Sequence, residues 1–276
     1  MIKPDDQGKL NRLGKILAKP LSTILVNPVT EDWTRLMESY WCILTGKGAG
    51  TGWDLTSEIS AAKSVIQTRN PVIFDVGANN GEWSLLISQL FPQAQLYLFE
   101  PQPKCQLEIV NKQLNNMELI PYAASSTVRK AQIYTTSATS GIASLHPRQD
   151  TYFEQYDFVT MDIETTTIDD VIRDRQLDRV DFLKMDIEGH ELDALRGAEQ
   201  SLKAKKIKAL SFEFGSGNIN SRTFFRDFWD LLHPLNYKIY RLLPSSRLMS
   251  IEEYYEDCEY FRGVTNYLAI LDERAN

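Results

Sequence analysis

The stretch 70–101, NPVIFDVGANNGEWSLLISQLFPQAQLYLFEP, constrains the fold of this chain more than any other. It predicts an apolar strand over Val72–Val76, a turn of glycine and asparagine, an amphipathic helix over 82–91, and a second strand over Gln95–Phe99 that is followed by Glu100. Backbone N–H groups of such a turn can face a ligand, and an acid after the second strand can accept hydrogen bonds from a ribose diol. The stretch therefore predicts a nucleoside-binding β-α-β unit.

The residues of the turn indicate which nucleoside it binds. A dinucleotide fingerprint needs glycines spaced G-x-G-x-x-G, but here those positions are Gly77, Asn79 and Glu82. The carboxylate of Glu82 would repel a pyrophosphate, and no P-loop pattern G-x-x-x-x-G-K-[ST] occurs in the chain. The pattern D-x-G-x-N-x-G, formed by Asp75, Gly77, Asn79 and Gly81, resembles motif I of the S-adenosylmethionine-dependent methyltransferases. That cofactor has no phosphate and carries a sulfonium cation, which suits a pocket rich in acids.

Composition and charge favour an ordinary enzyme. With 276 residues, of which 43% are hydrophobic and 24% charged, the chain can bury a large core. Its net charge of −7 argues against a nucleic-acid partner, because nucleic-acid binders normally present a basic surface. The three cysteines form neither a disulfide framework nor a metal motif. No apolar run has the length of a membrane span and no signal-peptide core is visible, so we expect a cytoplasmic protein.

Two regions are expected along the chain, a helical extension over 1–68 and an S-adenosylmethionine-binding domain over 69–276. In the extension, an apolar stripe that includes Leu13 and Ile16 runs beside basic residues such as Lys15. A basic amphipathic helix can lie on an anionic membrane, but packing on the domain or on a second subunit of a homo-oligomer is the favoured prediction. From residue 71 onward, strands and helices alternate, which predicts an α/β fold with a mostly parallel sheet and helices on both faces.

A second segment, 181–202, carries a cluster of ionisable side chains. Asp186 ends a predicted strand, Glu188 and His190 lie in the turn that follows, and Glu213 lies near the end of the next strand. Ligands of open α/β sheets bind at the carboxyl ends of the strands, which is where these residues are expected to meet. Burying carboxylates there costs free energy unless they are paired, protonated or bound to a cation. The cluster therefore predicts a chemical role rather than a purely structural one.

Taken together, these motifs resemble the FkbM family of methyltransferases. The resemblance rests on DVGANNG, on the pair Glu100-Pro101, on FLKMDIEGHELDALRGA and on VTMDIETTTIDDVI, and it covers 71–271. It implies a class I methyltransferase fold, Rossmann-like, with a seven-stranded sheet whose final strand is antiparallel. It also implies methylation of a hydroxyl oxygen, often on a sugar or a polyketide. The helical extension is not part of these hallmark motifs.

The resemblance assigns cofactor-binding positions along the first half of the domain. Glu100 would hold the ribose hydroxyls, and Pro101 would shape the adenine side. Tyr122 and Ala123 would flank the adenine ring, although a core position is an equal alternative for Tyr122. The turn residues would line the methionine end of S-adenosylmethionine: Asp75, Gly77, Ala78, Asn79 and Gly81.

Methylating a hydroxyl requires removal of its proton, and the sequence offers two routes. His190 is the predicted general base, with Asp186 and Glu188 as catalytic neighbours. Alternatively, a divalent cation such as Mg²⁺, held by Asp186 and Glu213, would lower the pKa of the hydroxyl. The acids could instead orient His190, cap the helix or bind sugar hydroxyls directly, and these alternatives stay open from sequence.

The predicted function is therefore an S-adenosylmethionine-dependent O-methyltransferase that acts on a sugar hydroxyl of a glycan or a glycosylated metabolite. The alternatives are a non-sugar acceptor, either a polyketide-type hydroxyl or an amine, and a non-catalytic scaffold that binds the cofactor. The scaffold is disfavoured because it would have no reason to keep the acids and His190 together. An NAD-dependent dehydrogenase is disfavoured by the turn.

Overall fold

A computed structural model describes residues 4–48, 55–137, 139–148 and 156–274 of the chain. The described residues form one large sheet and one small sheet. The strands are β1 (Val72–Val76), β2 (Gln95–Phe99), β3 (Met117–Ile120), β4 (Ala123–Ala124), β5 (Lys130–Thr135), β6 (Val159–Thr166), β7 (Phe182–Met185), β8 (Ala209–Gly215), β9 (Tyr237–Leu242), β10 (Leu248–Ile251) and β11 (Val264–Leu271).

The large sheet has eight strands in the order β10-β9-β11-β8-β7-β1-β2-β3. Five adjacent strands, β8, β7, β1, β2 and β3, are parallel. The strand β11 runs antiparallel to both of its neighbours, β8 and β9. The predicted α/β fold with a mostly parallel sheet and an antiparallel final strand is confirmed. The predicted number of seven strands is one too few, because the four-residue β10 extends the edge by pairing with β9.

Helices cover both faces of the large sheet. They are α1 (Pro4–Leu25), α2 (Glu31–Leu44), α3 (Leu55–Val65), α4 (Glu82–Leu90), α5 (Pro103–Asn111), α6 (Ile168–Asp174), α7 (Glu191–Arg196), α8 (Glu199–Lys203), α9 (Ser216–Ser221) and α10 (Phe225–Leu232). Successive residues of β1 point to opposite faces. Ile73 accordingly joins a core cluster with residues of α3, α4 and α5, and Phe74 joins one with residues of α6, α7, α8 and α10.

The small sheet, in the order β4-β6-β5, lies beside the carboxyl end of the large one. Its strand β5 also bridges to the segment that follows it, through two backbone hydrogen bonds between Tyr134 and Ser144. The hydroxyl of Ser144 donates to the backbone carbonyl of Glu188 at 2.8 Å. The small sheet therefore holds the 139–148 segment against the turn that follows β7.

The two N-terminal helices differ from α3 in how they are packed. On α3, Ile59, Ala61 and Ala62 are buried in the core of the domain. On α1 and α2, by contrast, many large apolar side chains are exposed, among them Ile16, Ile24, Trp33, Leu36 and Trp41. No described helix is long and apolar enough to span a membrane. The exposure of Ile16 and Ile24 argues against packing of α1 on the domain, whereas docking of α1 on a second subunit or on a membrane surface stays a prediction. The boundary at residue 68 also stays a prediction, and the burial of α3 favours a boundary before α3.

Candidate functional site

A cavity of about 610 Å³, including its open mouth, lies at the carboxyl ends of β1, β2 and β7. Seven of the residues predicted for the site line this cavity: Gly77, Asn79, Glu100, Pro101, Ala123, Asp186 and Glu188. The structure therefore brings the turn after β1, the acid after β2 and the acids after β7 together at one edge of the sheet.

The turn after β1 has a left-handed backbone at several positions. Gly77 has a φ of +81°, and a Cβ atom there would lie 2.0 Å from the carbonyl oxygen of Asp186. Only glycine fits such a position, because the turn and the neighbouring strand end are in close contact. Asn79 has a φ of +47°, which asparagine tolerates better than most residues. The local sequence thus brings the turn backbone against the carboxyl end of β7.

Glu100 is the acid that fixes this turn to the end of β2. Its Oε2 accepts the backbone N–H of Asn79, and its Oε1 accepts the backbone N–H of Gln102, each at 2.8 Å. Burial raises the pKa of Glu100 to about 6, against the lowering effect of these two backbone hydrogen bonds. A carboxylate oxygen can accept more than one hydrogen bond. Because Glu100 lines the cavity, its oxygens can still accept bonds from a ligand hydroxyl.

Asp75 does not line the cavity, which corrects its predicted contact with the methionine end of the cofactor. Its side chain is 1% exposed, with Oδ2 accepting a hydrogen bond from Ser84 Oγ at 2.7 Å and Oδ1 lying 3.3 Å from Lys184 Nζ. Lys184 Nζ also lies 3.5 Å from Asp186 Oδ2. Burial alone would lower the pKa of Lys184, but the carboxylates of Asp75 and Asp186 outweigh it and raise that pKa. Asp75 is thus a positioning residue beneath the turn.

Three other predicted cofactor contacts lie outside the cavity lining. Ala78 and Gly81 stabilise the turn instead: Ala78 N–H donates to Phe99 O, and Gly81 N–H donates to Ala78 O. Tyr122 lies just before β4 and its side chain is partly exposed, whereas the neighbouring Ala123 lines the cavity. The sequence placed these positions near the cavity but did not determine which residues line it.

Two acids that follow β7, Asp186 and Glu188, line the cavity. Glu188 has a φ of +55° and forms an ion pair with Arg148, a residue that the sequence did not predict for the site. Burial, together with the charge of Asp186, raises the pKa of Glu188 to about 7, while Arg148 opposes that rise. A carboxyl group whose pKa lies near neutrality can accept a proton during a reaction at that pH.

His190, two residues after Glu188, does not itself line the cavity. Its ring is buried, with Nε2 3.0 Å from Ser125 Oγ and Nδ1 3.1 Å from His146 Nε2. Burial lowers the pKa of His190 to about 4, although Asp193 opposes that effect. The predicted role of His190 as the base that contacts the substrate is therefore at odds with its position, because its buried ring contacts Ser125 and His146 and does not line the cavity.

Glu213 lines a second cavity of about 330 Å³, which shares Asp186 with the first. Burial, and then the charges of Asp186 and Glu188, raise the pKa of Glu213 well above its ordinary value. Lys184 also lines this cavity and already places a positive charge beside Asp186. Binding of Mg²⁺ by Asp186 and Glu213 stays a prediction.

Comparison with known proteins identifies a matching family and two similar proteins. A family model described as a methyltransferase FkbM domain matches residues 75–239. A protein named 2-O-methyltransferase NoeI from Sinorhizobium fredii is 26% identical over 150 residues, which are 50% of this chain and 62% of NoeI. Methyltransferase sdnD from Sordaria araneosa is 29% identical over 159 residues, 48% of this chain and 61% of sdnD. The matches thus span about three fifths of the length of these curated relatives.

Solved structures with a similar chain path are more distant in sequence. Fibrillarin, a pre-rRNA processing protein of Methanococcus jannaschii, is 13% identical with a TM-score of 0.43, over 79% of this chain and 75% of that chain. A precorrin-6y C5,15-methyltransferase from Geobacter metallireducens is 12% identical with a TM-score of 0.41, over 80% of this chain and 90% of that chain. At these scores the likeness does not bear on the acceptor, and the expected lack of a nucleic-acid partner stays a prediction.

Proposed function

Because the chain belongs to the FkbM methyltransferase family, we propose that it transfers a methyl group from S-adenosylmethionine to a hydroxyl oxygen. One observation carries the proposal: the buried carboxylate of Glu100 lines the cavity beside the turn after β1. In that position its two oxygens would accept hydrogen bonds from the two hydroxyls of the cofactor's ribose.

The other lining residues fit the same cofactor. The backbone of Gly77 and Asn79 would hold the methionine end, and Ala123 would pack against the adenine ring. When bound, S-adenosylmethionine supplies a methyl group on a positively charged sulfur. Asp186 and Glu188 line the same cavity, and their charges favour a cation there.

Glu188 is the residue that we assign to removal of the hydroxyl proton. It lines the cavity, its pKa of about 7 lies where a general base is most effective, and Arg148 holds its carboxylate. Asp186 would accept a hydrogen bond from the acceptor or orient it. His190 stays the predicted alternative base, although its ring does not line the cavity. Mg²⁺ bound by Asp186 and Glu213 is the alternative route, and loss of activity in EDTA that Mg²⁺ restores would support it.

A sugar hydroxyl is the acceptor class that we propose. Two carboxylates that line one cavity can accept hydrogen bonds from neighbouring hydroxyls of one sugar, and NoeI, to which this chain is similar, is named as a 2-O-methyltransferase. Polyketide-type hydroxyls and amines are the alternative acceptors, and a non-catalytic scaffold is the alternative to an enzyme.

A labelled-methyl assay would test this function. The full chain is incubated with S-adenosylmethionine that carries a labelled methyl group and with separate pools of nucleotide sugars, extracted glycans, polyketide-type alcohols and amines, and the products are analysed by mass and linkage. We expect label on a sugar oxygen, and a strongly reduced signal for Glu188→Gln but not for Glu164→Gln, an exposed acid on β6. Label on nitrogen alone would refute O-methylation. Cofactor binding without transfer to any pool would support the scaffold.

A further inference from the structure

Behind the cavity wall, two histidines and an acid converge from separate parts of the chain. His146 belongs to the 139–148 segment, whereas His190 and Asp193 lie at the start of α7, three residues apart and hence on the same side of the helix. His190 Nδ1 lies 3.1 Å from His146 Nε2 and 3.6 Å from Asp193 Oδ2. One possible ligand atom from each of the three residues lies within 4.8 Å of the other two.

These separations match a metal coordination shell. Zinc binds imidazole nitrogen and carboxylate oxygen at about 2.0–2.2 Å, so that in a tetrahedral site the ligand atoms lie roughly 3.3–3.6 Å apart. The two separations from His190 Nδ1, 3.1 and 3.6 Å, are close to that range. Small side-chain rotations would suffice to place all three atoms around one ion.

The outer nitrogen of His190 has the kind of partner that orients a metal-binding imidazole. Ser125 Oγ lies 3.0 Å from His190 Nε2, and Ser125 is buried. A contact on the outer nitrogen commonly orients the ring of a metal-binding histidine and selects its tautomer. With the Nε2–H donating to Ser125, the lone pair of Nδ1 faces His146 and Asp193. A cation between these three groups would then interact favourably with each of them.

We propose that His146, His190 and Asp193 bind a divalent transition-metal ion, for which Zn²⁺ is the probe. Two imidazole nitrogens and one carboxylate suit zinc and its neighbours rather than Mg²⁺ or Ca²⁺, which prefer oxygen ligands. The site is accessible, because the side chain of Asp193 is 30% exposed while that of His190 is 4% exposed. Three protein ligands leave one position for water.

An ion bound at this site would also affect the walls of the cavity. Leu145, next to His146, and Glu188, two residues before His190, both line the cavity. An ion would therefore join the 139–148 segment to the turn after β7 and fix two walls of the cavity relative to each other. This proposal does not depend on the identity of the methyl acceptor or on methyl transfer itself.

Titration calorimetry on the full chain, stripped of metal with EDTA and dialysed, tests the site. We expect one Zn²⁺ to bind per chain, and Mg²⁺ to bind at least tenfold more weakly. His146→Ala and Asp193→Asn should each reduce zinc affinity, and Ser125→Ala should reduce it about 10–100-fold, as loss of an outer-shell contact does. His233→Ala is the matched control, because His233 is exposed and stacks on Trp229 away from the cluster.

A second readout keeps the test independent of any folding defect. Zn²⁺ should raise the melting temperature of the wild type and slow amide hydrogen exchange in 139–148, and neither effect should occur in Asp193→Asn, whose substitution is at a partly exposed position. The proposal is overturned if Asp193→Asn and His146→Ala bind Zn²⁺ as tightly as His233→Ala does.

Discussion

The backbone N–H of Asn79 donates to Glu100 Oε2 at 2.8 Å, so the turn after β1 is held to the end of β2 by the same side chain that faces the ligand cavity. The register of the two strands, with Val76 opposite Phe99, brings these residues together. A ligand hydroxyl would thus bind to a carboxylate whose position is already fixed, which lowers the entropic cost of binding.

The first prediction concerns this carboxylate. Glu100→Gln keeps the size of the side chain but removes its charge and one of its acceptors, and hydrogen bonds to charged groups contribute roughly 1.5–3 kcal/mol. We expect S-adenosylmethionine affinity, measured by calorimetry, to fall about 10–100-fold. Glu108→Gln, on the exposed side of α5, should bind as the wild type does. Equal affinity in the two variants would show that Glu100 does not contact the ribose.

The second prediction concerns the pH dependence of turnover. Glu188 must lose its proton to act as a base, and its pKa is raised to about 7 by burial and by Asp186. Once an acceptor is in hand, kcat should therefore rise as the pH increases through this value. Glu188→Gln should lower kcat by about 10²–10⁴-fold and abolish this rise, with cofactor affinity within a few-fold of wild type. A variant that keeps the same pH profile would exclude Glu188 as the base.

The third prediction concerns the buried ammonium of Lys184. Lys184→Met fills a similar volume but leaves the carboxylates of Asp75 and Asp186 without their common cation. Removal of one partner from a buried ion pair costs about 3–5 kcal/mol, and we expect a loss of that size in the free energy of unfolding measured in urea. Lys203→Met breaks only an exposed pair with Glu199 and should cost less than about 1 kcal/mol. Similar losses in both variants would refute this role for Lys184.

The fourth prediction concerns the pH dependence of stability. Burial raises the pKa of Glu191 from 4.5 to about 7, so the folded state binds the proton more tightly than the unfolded state does. The resulting stabilisation is fully present below the ordinary pKa and is lost as the pH rises through the folded pKa of about 7. Glu188 acts in the same direction, whereas the lowered pKa of His190 acts in the opposite direction at lower pH.

The test of that prediction uses the pH range above the ordinary pKa of histidine, from about pH 6.5 to about pH 8. The free energy of unfolding of the wild type should fall as the pH rises across this range, and that of Glu191→Gln should fall less steeply. Glu199→Gln, an exposed acid on α8, serves as the control. Parallel curves for the wild type and Glu191→Gln would mean that Glu191 does not titrate there.

Elements with a strong local pattern could be predicted from the sequence. The apolar runs over Val72–Val76 and Gln95–Phe99 predicted the observed bounds of β1 and β2. The spacing of Leu195, Ala198 and Leu202 predicts one continuous helix over 192–202. The structure instead has two short helices there, α7 and α8, on either side of Gly197. A Cβ at Gly197 would lie 2.1 Å from Ser125 O, so a tertiary contact favours glycine here, and glycine weakens the helix.

The candidate site was predictable where function depends on strand ends, and less so where it depends on contacts between distant segments. Topology brings the ends of β1, β2 and β7 together, so Gly77, Glu100 and Glu188 were found. The roles of Arg148 and His146 were not, because their partners are 40 and 44 residues away and no local pattern marks them. The sequence also could not predict the orientation of the Asp75 side chain, because that orientation depends on contacts with Ser84 and Lys184.

Calorimetric titration of the full chain with S-adenosylmethionine and, separately, with NAD tests the central claim most directly. The turn, with Asn79 and Glu82 in place of two glycines, and the carboxylate of Glu100 predict that S-adenosylmethionine binds with one molecule per chain and that NAD does not. Binding of NAD without binding of S-adenosylmethionine would contradict the account.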